Sequence, residues 1–200
     1  LNLPKPKFIL RLESNEREAR MKEMQLGIAK AIKESKPDAV LVYGDTDSTL
    51  AGAQAADKLG IPIIHIEAGL RSFDLEMPEE GNRISTDKLS SILVAPTITA
   101  VKNLKNEGIF GAFLTGDIMH DNALYFTNEI DSTSTPSVLL TMHRPSNVDS
   151  LSRLESWIDA IGDWCILKNV IATFPVHPRT QKSIDVLYDS NWRQKLLDKN

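Results

Sequence analysis

Two hundred residues, 42% of them apolar and 25% charged, suffice for one large globular domain or for parts of two. A formal net charge of -4 argues against a general binder of the phosphate backbone, whose basic excess displaces counterions, so no nucleic-acid partner is expected. The single cysteine, Cys165, excludes an intramolecular disulfide and any multi-cysteine zinc site, which fits a reducing compartment, and the cytoplasm is the expected location.

No uninterrupted apolar run reaches the roughly 18 to 20 residues of a membrane helix, and the N-terminus has no basic-then-apolar signal pattern, so no membrane association is expected. The chain opens on Leu1 and enters the proline-rich, strand-like stretch Leu3 to Leu10, from which we expect residues upstream to be missing. Met21, Met24, Ile28 and Ala31/Ile32 then recur at helical spacing among charges, and Pro37 stops the pattern. Ala39 to Tyr43 and Ile61 to Ile66 are short apolar runs separated by the Ala-rich stretch Thr49 to Leu59, a pattern of strands buried on both faces and joined by a crossover helix. Ile92 to Ala95 and Ala112 to Thr115 repeat it, around a helix that Thr97 caps and Gly108 ends. The alternation predicts a parallel, doubly wound α/β sheet.

Residues 127–136 are polar and predict a linker between a first domain, 1–126, and the beginning of a second, 137–200. There the rhythm restarts with a strand at Val138 to Thr141, a helix around Leu151 to Ile161 and a strand at Val170 to Thr173.

Ligands of open parallel sheets bind beyond the carboxyl ends of the strands, and the residues there are unusually polar. Gly44-Asp45-Thr46-Asp47-Ser48 follows the first run, and His65-Ile66-Glu67-Ala68-Gly69-Leu70-Arg71 completes the second. His143-Arg144 and His177 follow the strands of the second part. Asp45 read alone is as well explained as a helix cap. Glu67, one residue past a buried strand, is where a carboxylate tends to acquire a perturbed pKa. Met77-Pro78-Glu79-Glu80-Gly81-Asn82-Arg83 places two carboxylates and an arginine at the mouth of a helix, either a solvated ion pair or an acid–base cluster. His143-Arg144 is either a surface pair or, through the planar fork of Arg144 beside an imidazole, a group suited to a diphosphate. Zinc-deaminase, metalloprotease, serine-hydrolase and glycine-rich nucleotide signatures are all missing, and neither a metal nor a cofactor is expected.

Six blocks, in order, resemble the non-hydrolysing UDP-N-acetylglucosamine 2-epimerases: Gly44 to Thr49, His65 to Ser72, Pro78 to Arg83, Gly116-Asp117 with Asp121, His143-Arg144 with Asn147, and Pro175 to Pro178. The resemblance implies two Rossmann-like domains in the GT-B arrangement, both incomplete here, with the active site in the cleft between them. It implies an isomerase that interconverts UDP-GlcNAc and UDP-ManNAc by C2 deprotonation with UDP elimination and re-addition. Asp45, Glu67, Glu79 and His143 match the family's catalytic residues; Arg71, Arg83, Arg144 and His177 are the expected substrate-binding residues. A homodimer or higher homo-oligomer is the expected assembly. The Gly-Thr-Arg-Pro segment that opens family members is not found in this sequence, and Ser146 stands where many bacterial members have Glu. A GT-B-type UDP-sugar glycosyltransferase and a non-catalytic nucleotide-sugar-binding fragment are the alternatives.

Overall fold

Apolar residues three and four apart give the first helix, α1 (Arg17–Ser35), whose buried positions are Met24 and Ile32. Lys36 closes it in the left-handed conformation, donating its amide to the Ile32 carbonyl, before Pro37. The computed structural model describes residues 4–127 and 137–188. Of the strand-like stretch ahead of α1, residues 4–10 form no strand, because Pro4 and Pro6 have no N–H to give a ladder. Leu10 rests on α1 instead, where a Cβ added to Gly27 would meet its Cδ1 at 2.9 Å.

The chain divides into two units, Leu1–Asn128 and Glu129–Asn200. In the first, β1 (Val40–Tyr43), β2 (Ile63–Ile66), β3 (Ile92–Ala95) and β4 (Phe113–Leu114) lie parallel and in chain order. The connecting helices are α2 (Asp47–Lys58), α3 (Pro78–Leu89) and α4 (Ile98–Asn106). Val42 pairs with His65 and His65 with Leu93, so the three share one face of the sheet. Ile32, Val42, Ala53, Ala55, Ala56 and Ile63 make one core beneath that face, and Ala68, Leu93 and Leu104 a second. α2 is rich in alanine because it lies against both α1 and α3, where larger side chains would hold the helices apart. Burial on both faces, expected of these strands, is realised on this side alone: Leu41, Tyr43, Ile92 and Phe113 on the opposite rows are exposed. Among the described residues α2, α3 and α4 all serve the first face.

A helix absent from the sequence reading, α5 (Ile118–Thr127), follows β4. Asp117 starts it by accepting from the Met119 amide at 2.9 Å. The second unit holds a parallel pair, β5 (Ser137–Leu139) and β6 (Ile171–Thr173), with α6 (Pro145–Val148), α7 (Leu151–Lys168) and α8 (Pro178–Leu187). Met142, Val148, Leu154 and Ile184 are its core. α7 runs past the expected end near Ile161 because Ile158, Ile161 and Cys165 continue the inward stripe across Gly162, and Asn169, at φ 53°, ends it. Of the expected linker, residues 128–136 lie outside the described residues. Both units have the α/β character expected of the chain. No described helix is long and apolar enough to cross a membrane.

Candidate active site

The turn after β1 needs a glycine: Gly44 sits at φ 70° and donates its amide to the Ile66 carbonyl, 3.1 Å away. The cap of α2 is Thr46, whose hydroxyl accepts from the Thr49 amide. Asp45 is thereby free of the capping role that its position allows. Its carboxylate pairs with the Arg83 Nη2 of α3. Asp47, one residue beyond Thr46, is held by Arg17 at 2.7 Å and by the Asn82 amide at 2.9 Å.

Glu67 follows β2 at φ 76°, a left-handed conformation that costs a non-glycine residue about 1 to 3 kcal/mol. The turn is secured by two amides, those of Glu67 and Ala68, both donating to the Val94 carbonyl at 3.0 Å. The half-buried side chain lines a cavity of about 220 Å³ with Tyr43, Val94, Gly116, Asp117 and Asp121. Burial raises the Glu67 pKa above the ordinary carboxylate value, the Asp45 carboxylate adds to the effect, and Arg83 works against it. Two neighbouring carboxylates are thus differentiated, Asp45 ion-paired and Glu67 inclined to keep its proton.

The charged opening of α3 divides between its two glutamates. Glu80 is buried, and its carboxylate accepts from the Ser72 amide at 2.9 Å, the Ser72 hydroxyl at 3.0 Å and the Phe73 amide at 3.0 Å. Burial pushes its pKa up, but these donors outweigh burial and set it below the usual value. Glu79 stays half exposed in the first turn, where it acts through space on Arg17, a guanidinium raised mainly by its bond to Asp47. Glu80→Gln is expected to lose about 1 to 3 kcal/mol, since an amide oxygen cannot replace both carboxylate acceptors. Glu80 stabilises the fold above the ordinary carboxylate value, and that contribution is lost as pH falls through its depressed native pKa. The gap between wild type and variant in urea unfolding therefore narrows from about pH 7 to about pH 3. A gap constant over that range refutes the assignment.

Arg71 departs from the substrate-binding expectation. Its side chain is 1% exposed, with its donors spent on Asp87 at 2.8 Å, Glu107 at 2.6 Å and the Leu70 carbonyl at 2.7 Å. So enclosed, the guanidinium ties the turn after Glu67 to Asp87 and Glu107. Arg83 stands nearer the chemistry: it contacts Asp45, lies 3.6 Å from Glu80, and its buried Nε has no hydrogen-bond partner.

In the second unit, His143 beyond β5 and His177 beyond β6 bring their rings within 5.5 Å of one another. His177 caps α8, its Nδ1 accepting from the Arg179 amide at 3.1 Å, so the proton of the neutral ring is on Nε2. His143, Arg144 and His177 are all exposed.

Sequence reasoning missed the buried His65. Its ring lies 2.7 Å from Asp87 by Nδ1 and 2.8 Å from the Gly44 carbonyl by Nε2. The signal was available: Ile63 and His65 are the two inward positions of β2, and a histidine there requires polar partners. Among the described residues no group of three or more His, Cys, Asp or Glu is arranged to hold a metal ion.

Residues 1–199 match the family described as UDP-N-acetylglucosamine 2-epimerase. A UDP-N-acetylglucosamine 2-epimerase homolog of Methanococcus maripaludis is 44% identical over 197 residues, which cover 92% of this chain and 54% of that protein. The UDP-2,3-diacetamido-2,3-dideoxy-D-glucuronate 2-epimerase of Pseudomonas aeruginosa is also 44% identical, over 94% of this chain and 55% of its own length. Among solved structures, the Methanocaldococcus jannaschii UDP-GlcNAc 2-epimerase in complex with UDP-GlcNAc and UDP matches with a TM-score of 0.81 at 38% identity. That match covers 99% of this chain and 56% of the other. The chain spans about half the length of the relatives it matches.

Proposed function

This chain belongs to the UDP-N-acetylglucosamine 2-epimerase family, and on that premise we propose that it serves an isomerase interconverting UDP-GlcNAc and UDP-ManNAc. A carboxylate takes the C2 proton as the C1–O bond to UDP breaks and C1=C2 forms. The UDP oxygen then returns to C1, and a proton reaches C2 from the other face.

The observation that carries this reading is the pairing of Asp45 with Glu67. Abstraction and redelivery of a proton at carbon suit two carboxylates in different surroundings: Asp45 is ion-paired with Arg83, and burial raises the pKa of Glu67. Glu79 is the third carboxylate of the proposed set and His143 its imidazole. Arg83, Arg144 and His177 are the groups proposed to hold the nucleotide sugar. Of these, His177 offers an Nε2–H beside the N-terminus of α8, a site that favours phosphate oxygens. Arg71 is reassigned from ligand contact to support of the Glu67 turn.

We further propose domains at 1–126 and 137–200 joined by a linker at 127–136, a cytoplasmic setting consistent with the single cysteine, and assembly as a homodimer or higher homo-oligomer.

Incubation with UDP-GlcNAc in heavy water, without an acceptor, is expected to give UDP-ManNAc carrying deuterium at C2. Sugar transfer that requires an added acceptor identifies a glycosyltransferase instead, and binding without exchange at C2 identifies a nucleotide-sugar-binding module.

A further inference from the structure

The interior of the first unit holds an ionic network that the proposed chemistry does not use directly. His65 is fully buried, and each of its ring nitrogens faces an acceptor: the Asp87 carboxylate at 2.7 Å and the Gly44 carbonyl at 2.8 Å. A neutral imidazole carries one N–H and would leave one of these contacts as lone pair against lone pair; an imidazolium satisfies both. The charges around it agree. Asp87 also accepts from the Gly69 amide at 3.1 Å and meets Arg71 at 2.8 Å, and Arg71 pairs onward with Glu107. With His65 protonated, two cations face two carboxylates. With His65 neutral, one negative charge is left unbalanced among side chains that are 0 to 1% exposed apart from Glu107 at 28%. Glu67 also feels the ring.

The network joins the backbone at both strand ends of the proposed site. It grips the carbonyl of Gly44, immediately before Asp45, and the amide of Gly69, two residues after Glu67. Resting on the functional reading above, we propose that His65 is a positioning residue, held as a doubly donating ring between Asp87 and the Gly44 carbonyl, and that the pair fixes the Asp45 and Glu67 turns relative to one another. His65 also acts on Glu67 in the direction that tempers the rise in pKa that burial imposes.

The test uses the intact protein with labelled histidine. Nitrogen NMR at neutral pH is expected to show both ring nitrogens of His65 protonated and hydrogen-bonded, Nδ1 to Asp87 and Nε2 to the Gly44 carbonyl. A ring with one bare nitrogen overturns the proposal. His65→Gln keeps a donor without the charge, and Asp87→Asn removes the counter-charge; folding of each is checked by circular dichroism. In both, the Glu67 carboxyl, followed by carbon NMR, is expected to titrate at higher pH than in wild type, and kcat is expected to fall about 100-fold with KM within about threefold. A folded variant with the wild-type Glu67 titration and wild-type kcat overturns the positioning role. A wild-type protein with no epimerase activity defeats the functional reading alone, because the nitrogen and Glu67 measurements still decide this one.

Discussion

Asp45→Asn and Glu67→Gln are each expected to lower epimerisation about 1,000-fold while leaving the fold intact, the scale of a lost general acid or base. That loss corresponds to about 4 kcal/mol of barrier. Both swaps keep shape and remove only the ability to carry a proton. For Glu67 a second consequence separates catalysis from stability. Its native pKa is raised, by burial first and by Asp45 second, so its favourable contribution is present below the ordinary carboxylate value and is lost as pH rises through the native pKa. Above that native pKa the ionised Glu67 is therefore a burden on the fold. A glutamine, neutral at every pH, is expected to unfold at equal or higher denaturant concentration than wild type at about pH 7 to 8, although it is catalytically dead. Turnover within about tenfold of wild type, only about 1.4 kcal/mol, would assign the residue to an ion pair or turn instead.

The parts of the fold that were legible in the sequence are those with local causes. Thr97 caps α4 through the Ala100 amide at 3.1 Å, Pro78 opens α3, and the apolar runs at 40–43, 63–66 and 92–95 are strands because each is flanked by turn residues. α5 was not legible. None of its residues is buried, so its apolar residues follow no inward stripe, and only Asp117 signals its start. Within the site, Asp45 and Glu67 could be picked out by their places just past strands. The inward position of Arg71 could not, because nothing near it in sequence reveals that Asp87 of α3 and Glu107, just past α4, would converge on it. The same holds for His65 and Asp87, 22 residues apart and joined only when β2 lies over α3.

Gly44→Ala and Gly69→Ala are expected to fail in different ways, and the contrast tests how the turns serve the site. Both glycines have positive φ, 70° and 81°, which costs an alanine about 1 to 2 kcal/mol at either position. Their surroundings differ. A Cβ on Gly69 would overlap the Ala100 carbonyl oxygen of α4 and stand 2.9 Å from the carbonyl carbon, and helix backbone cannot move aside without breaking its own ladder. Gly69→Ala is therefore expected to lose at least about 3 kcal/mol, or to remain unfolded. A Cβ on Gly44 meets only the Glu67 Oε2, at 3.2 Å, the movable end of a side chain. Stability then falls by little more than the φ cost, but the Glu67 carboxylate is pushed from its place, and kcat is expected to drop about 100-fold, the effect of a displacement near 1 Å. Urea unfolding and turnover measured on both proteins decide the matter. Equal stability of the two variants would show that α4 does not clamp the Glu67 turn, and wild-type kcat in Gly44→Ala would show that the position of the Glu67 carboxylate does not limit the reaction.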